Sequence, residues 1–157
     1  MELSIVPVGH INRDLVQPLK EYLESIGFSV TISDRLPIPE KAYDEKRNQY
    51  IVHPFIELVN KLKGRHLLVT DVDLYTPGYN FIFGVCLGSN AVISIARLKG
   101  YLLTERMIKE AVHELGHVFS LRHCSNPSCV MHFSYTLQDT DYKSKEFCRK
   151  CQKLWPL

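Results

Sequence analysis

The sequence lacks a large charge of either sign, a long apolar run and any repeat, and each shortage narrows what it can be. Nineteen lysines and arginines stand against seventeen aspartates and glutamates, a formal net charge of +2. That is too weak to imply a polyanionic partner by itself. No apolar stretch approaches the ~18 residues that a membrane-crossing helix needs. The opening MELSIVPVGHINRD has neither the basic segment nor the apolar core of a secretory signal. A soluble, cytoplasmic protein with no membrane partner is therefore expected. No low-complexity tract or long linker interrupts the chain. Its 157 residues, 45% of them hydrophobic, suit one globular domain with one core, and a monomer is the simplest expectation.

The cysteines are unevenly spread. Cys124, Cys129, Cys148 and Cys151 fall in the last 34 residues, whereas Cys86 stands alone in an apolar run and reads as a small buried hydrophobe. The first hundred residues alternate in type. Leu3 to Val8 reads as a buried strand. Asn12 can cap a helix to about Ile26, with Leu15, Leu19 and Leu23 at helical spacing and Gly27 as its stop. Pro18 should kink that helix or delay its start. Phe28 to Ile32 reads as a strand, residues 33 to 46 as a loop, residues 47 to 63 as a helix, and His66 to Val72 as a third strand. Phe81 to Leu87 and Ala91 to Ala96 follow, joined by Gly88-Ser89-Asn90 as a hairpin. This order predicts an α/β fold, with a mixed, mostly parallel sheet of about five strands and one antiparallel edge strand. A helix from about Thr104 to Phe119 completes an N-terminal part, residues 1 to 119. The rest, residues 120 to 157, is too poor in apolar residues for a core of its own and reads as a small subdomain stapled by metal.

Residues 113 to 117 read His-Glu-Leu-Gly-His. Histidines at i and i+4 share one helix face, where both rings can reach a single zinc ion. Glu114, beside them, can take a proton from a water that zinc has made acidic, and a peptide carbonyl is the natural electrophile. The bland alternative is a solvated polar helix face, since Arg106, Lys109 and Glu110 share it. His123 follows six residues after His117, a spacing that requires the helix to stop and the chain to turn back.

With His123, Cys124, Cys129, Met131, Cys148 and Cys151 in place, the stretches HELGHVFSLRHCSNPSCVM and FCRKC resemble the archaemetzincins, a branch of the metzincin zinc peptidases. The resemblance is close over residues 113 to 151; the upstream half agrees only in its strand–helix order. It implies a metzincin-like fold with His113, His117 and His123 on a catalytic zinc, Glu114 as general base, and Met131 as the Met-turn floor beneath the histidines. One position departs from the family pattern. Ser120 stands where the family has a glycine, at a turn that needs a left-handed residue and disfavours serine by about 1 kcal/mol.

Cys124, Cys129, Cys148 and Cys151 supply four thiolates, the count of a closed structural zinc site, which makes two Zn2+ per chain. Two disulfides, or a reactive dithiol at Cys148 and Cys151, are the alternatives. The resemblance also implies an antiparallel edge strand against which an extended peptide pairs; the hairpin over residues 81 to 96 is the local candidate, with Phe81 to Leu87 as the rim strand, and plain sheet core is the alternative. Tyr135 and His132 are weaker candidates for the site, and His10, His53 and His66 read as ordinary surface or core residues. The expected function is peptide-bond hydrolysis of narrow substrate range. The competing reading is a zinc-stabilised binding module for protein or nucleic acid, because Lys143, Lys145, Arg149, Lys150 and Lys153 surround the second cysteine pair. Such charges usually form a solvated face, which weighs against a nucleic-acid partner.

Overall fold

In chain order the elements are β1 (Glu2–Val8), α1 (Arg13–Ser25), β2 (Ser29–Ile32), a single 3-10 turn (Glu40–Ala42), β3 (Tyr43–Asp44), β4 (Gln49–Ile51), α2 (His53–Glu57), β5 (His66–Thr70), β6 (Leu74–Tyr75), β7 (Gly84–Leu87), β8 (Asn90–Ser94), α3 (Leu103–Val118), α4 (Leu137–Tyr142) and α5 (Arg149–Gln152). They are taken from a computed structural model that describes all of residues 1–157. The main sheet runs β2-β1-β5-β8-β7. Its first four strands are parallel, and β7 joins β8 antiparallel through a two-residue turn that pairs Leu87 with Asn90. Gly88 opens that turn at φ +63, the left-handed conformation that tight hairpins require.

The strands alternate between two covered faces. Leu3, Ile5, Leu67, Val69, Ala91 and Ile93 pack with α1 and α3, and Val6, Val8, Leu68 and Val92 pack with α2 on the other side. Burial on both faces is what parallel strands require. Asn12 caps α1 as expected, accepting from the Leu15 N–H at 2.8 Å. Pro18 lies inside α1 without delaying its start. Leu121, Val130, Met131 and Trp155 join the same core as α1 and α3.

Two segments differ from their sequence pattern. Residues 47 to 63 do not form one helix. Gln49–Ile51 is a strand, and α2 begins only at His53. Pro54 favours a start there: it has no N–H to donate back to Tyr50 and its fixed φ suits the first turn, where α2 places it. The presumed loop before it contributes β3 to a second sheet, ordered β3-β4-β6, which lies ahead of the segment leading into β7.

Candidate metal centre and its cleft

The helix α3 is amphipathic by sequence yet enclosed on nearly every side. Residues Arg106 through Gly116 are all buried, so the solvated-face reading of Arg106, Lys109 and Glu110 is overturned. The polar side is covered by the segment 132–143, which satisfies it group by group. Arg106 grips Asp141 with two bonds of 2.8 and 2.9 Å and donates to the Leu98 and Lys99 carbonyls. Lys109 donates to the Thr140 and Asp141 carbonyls. The Thr140 hydroxyl donates to Glu110 at 2.9 Å, and Lys143 lies 3.5 Å from the same carboxylate. Lys143, read as surface charge, has a fully buried side chain. Its ammonium also donates to the His132 carbonyl at 3.2 Å.

This enclosure fixes the histidines. His113 Nδ1 donates to the Val130 carbonyl and His117 Nδ1 to the Leu121 carbonyl, both at 2.8 Å. A carbonyl can only accept, so each Nδ1 carries the hydrogen and each Nε2 presents a lone pair. Those two Nε2 atoms are 3.1 Å apart, close to the roughly 3.3 Å separation of nitrogens on a tetrahedral zinc with Zn–N bonds of about 2.0 Å. Burial, followed by the charge of Lys143, holds the His113 pKa well below its usual value, which keeps the ring in the neutral, metal-binding form. His123 comes in from the far side of the turn. Ligand atoms of the three rings lie within 4.8 Å of one another. Lone pairs converging at this distance, with no hydrogen between them, fit a cation such as Zn2+.

The turn that returns His123 is built on backbone bonds. Ser120 N–H reaches the His117 carbonyl and Leu121 N–H the Gly116 carbonyl, the double bond of a Schellman cap. Ser120 takes the left-handed position at φ 67. Ser120→Gly is therefore expected to stabilise the fold by about 0.5 kcal/mol, the relieved backbone strain less the entropy lost by glycine. Calorimetry should record a melting temperature higher by roughly 1–2 °C. A lower one would mean that the serine contributes more than its backbone costs.

Two glycines that the sequence pattern left unmarked shape the site. A methyl on Gly116 would overlap the Met131 thioether, its Cε only 2.8 Å away, so Met131 packs directly beneath the metal helix. A methyl on Gly84 would meet Glu114 Cγ at 2.9 Å and the Val92 carbonyl at 2.8 Å, so β7 lies against the Glu114 side chain. Glu114 is only 6% exposed. Burial raises its pKa to about 8, with Glu110 adding to the shift and Lys143 opposing it. A cation held by the three imidazoles acts the other way and favours the carboxylate.

Cys124, Cys129, Cys148 and Cys151 form a second group, with Sγ atoms all within 4.8 Å of one another. Zn–S bonds of about 2.3 Å would place sulfurs about 3.8 Å apart, and Cys124 and Cys148 stand at 3.9 Å. All five cysteines are free. The N–H groups of Met131 and Cys148 donate to Cys129 Sγ, each at 3.4 Å. Hydrogen bonding from the Cys151 backbone pushes the Cys148 thiol down to about 7. Four soft donors gathered this closely fit zinc as well.

A cleft of about 630 Å³ crosses the histidine site. It is bounded above by residues 79–86, at its centre by α3, and below by residues 133–135. The edge strand β7 thus forms its rim, and Cys86 lines that rim half-buried rather than sitting in the core. Tyr135 flanks the mouth, 77% exposed. His132 is turned away, donating from Nδ1 to the Cys124 carbonyl. His66 is a buried partner of Asn90, and His10 and His53 are exposed, outside the cleft.

A mixed α/β fold with a three-histidine metal cradle and an adjoining glutamate defines a class, the zinc metallopeptidases. Residues 10–155 match the profile of Peptidase family M54. An archaemetzincin from Pyrococcus furiosus is 41% identical over 95% of this chain and 89% of its own. The crystal structure of an archaemetzincin from Archaeoglobus fulgidus, complexed with malonate, superposes with a TM-score of 0.91 at 38% identity, covering 99% of this chain and all of that one. A zinc-dependent peptidase from Methanocorpusculum labreanum superposes with a TM-score of 0.84 at 29% identity, covering 97% of this chain and 98% of its own. The chain belongs to the archaemetzincins, Peptidase family M54, and is a zinc metallopeptidase.

Proposed function

We propose that the protein hydrolyses peptide bonds at the histidine site with Glu114 as general base, and that it carries two zinc ions, one catalytic and one structural. The observation that carries this reading is the pair of unprotonated Nε2 atoms 3.1 Å apart in a cleft shared with Glu114 and an edge strand. His113, His117 and His123 hold the catalytic ion. When bound, zinc supplies a Lewis acid to the peptide carbonyl and brings the acidity of water into the neutral range.

The chain's own residues do the rest. β7 pairs with β8 on one side only, so its outer N–H and C=O groups can take up an extended peptide as an added strand. That pairing carries the scissile carbonyl past Glu114. The Glu114 carboxylate accepts the proton of the attacking water and returns it to the leaving amine. Met131, pressed against Gly116, keeps the floor beneath the rings rigid. Residues 1–119 then supply the metal helix and the rim, and residues 120–157 supply His123, Met131 and the cysteine site.

We also propose a narrow substrate range. His113 and Glu114 are 4% and 6% exposed, so only an extended segment laid along β7 reaches them. Short peptides should be cleaved and a compactly folded protein spared; rapid digestion of the folded protein would overturn this.

Zinc per chain tests the metal assignment. Wild-type protein purified without added metal is expected to hold two zincs, and His117→Ala one. One zinc in both proteins would leave only the cysteine site filled and favour the binding-module reading. No helix of the protein is long and apolar enough to cross a membrane.

A further inference from the structure

The cleft extends past the metal ligands by one turn of α3, where its lining includes the carboxylate of Glu110. Glu110 is 3% exposed and lines the cleft together with Ser134. Ser134 is 8% exposed, and its hydroxyl has no hydrogen-bond partner in the protein. Lys143 bonds the His132 carbonyl and pairs with Glu110, so it brings the 132–134 segment up beside that carboxylate. Thr140 and Lys143 both act on Glu110 Oε1, which leaves Oε2 for another donor.

We propose that Glu110 and Ser134 select a glutamine side chain on the substrate residue adjoining the scissile bond. The inference rests on the cleft being the peptide site. A carboxamide answers both groups at once, its NH2 donating to Glu110 and its oxygen accepting from the Ser134 hydroxyl. Its length suits the distance, since Glu110 and Glu114 are four residues, ~6 Å, apart along the helix. Leucine there leaves a buried hydroxyl and a carboxylate oxygen unsatisfied. Lysine brings a second cation to a carboxylate that a buried lysine already neutralises, and loses its own hydration in doing so. A site built to hydrogen-bond a side chain rejects the analogue that lacks the bonding group.

Two measurements on the zinc-loaded full chain test this. In the first, a randomised peptide mixture is digested and the new ends are sequenced; glutamine should be enriched at one position flanking the cut. In the second, independent of turnover, the protein is titrated with the N-acetyl methylamides of glutamine, leucine and lysine while backbone NMR shifts at residues 110 and 134 are followed. The glutamine probe should bind at least about tenfold tighter than either other probe. Ser134→Ala, which removes only the unpaired hydroxyl and leaves the Glu110 bond, should lower the glutamine-to-leucine ratio severalfold. Glu110→Gln made together with Lys143→Met, so that no charge is left buried alone, should do the same. Leucine or lysine binding as well as glutamine, or a ratio untouched by both variants, would overturn the proposal. Cleavage without glutamine enrichment or preference would sink it and leave the peptidase reading standing. Preferential glutamine binding with no cleavage of any peptide would uphold the subsite and sink the peptidase reading.

Discussion

Glu114→Gln is expected to retain two zincs per chain and the wild-type melting temperature, and to lower kcat for peptide cleavage by roughly 10²–10⁴-fold. The substitution keeps the side-chain volume, so the close packing of Gly84 against the Glu114 side chain, which leaves no room for a Cβ at residue 84, survives and the rim strand does not move. Only the proton acceptor is lost. A fall confined to kcat would identify a group that acts on the reacting atoms; a rise in KM alone would make Glu114 a binding group. Glu114→Asp separates position from chemistry. It keeps the carboxylate but withdraws it by one methylene, and a misplacement of about 1 Å at a catalytic group can cost ~10²-fold. Glu114→Gln activity within tenfold of wild type would remove Glu114 from the mechanism. The buried setting makes the test sharp, because a carboxylate only 6% exposed leaves little room for bulk water to take over as base.

What could be read from the sequence, and what could not, follows from how far apart the cooperating residues are. His113, Glu114 and His117 lie within one helical turn, and His123 and Cys124 follow within seven residues, so spacing alone is enough to suggest a ligand set. The turn after the helix was legible from the same spacing, and the left-handed conformation at Ser120 from the resemblance, which places a glycine there. The main-sheet strands and their mostly parallel pairing were legible because each is a short apolar run bounded by turn residues, whereas the short strands of the second sheet carry no such mark. The helix expected over residues 47 to 63 was not, because helical periodicity there outweighed the backbone rule imposed by Pro54. The burial of Arg106, Lys109 and Glu110 was invisible, since their partners Thr140, Asp141 and Lys143 lie some thirty residues downstream. A charged helix face carries no local mark of what will cover it. Gly84 and Gly116 were missed on the same ground. Each is required by a neighbour that only the folded chain brings near, Glu114 in one case and Met131 in the other.

The cysteine site supplies the other large effect, because it is coupled to the histidine site through backbone bonds. Cys124 N–H donates to the Met131 carbonyl at 2.9 Å, and His132 Nδ1 donates to the Cys124 carbonyl at 2.8 Å. Val130, whose carbonyl fixes His113, directly follows Cys129. Cys129→Ser is therefore expected to lose more than one metal. A serine hydroxyl does not replace a thiolate on zinc, and structural zinc sites in small domains carry binding free energies on the order of 10 kcal/mol. Release of residues 124–132 would free the carbonyl that holds the His113 tautomer, displace Met131 from Gly116 and untether His123. Zinc per chain should fall from two to nearly none, whereas His117→Ala should lose one. The melting temperature should drop by about 10 °C or more, since the lost stability exceeds about 4 kcal/mol. Metal stripping should follow the reverse order. A chelator reaches the ion beside exposed His123 before the one enclosed by buried Cys129 and Cys151, so activity should vanish before the fold does. Cys129→Ser protein that keeps one zinc at the histidines and cleaves peptides normally would show the two sites to be independent. The cysteine cluster would then be a staple for the C-terminal residues alone.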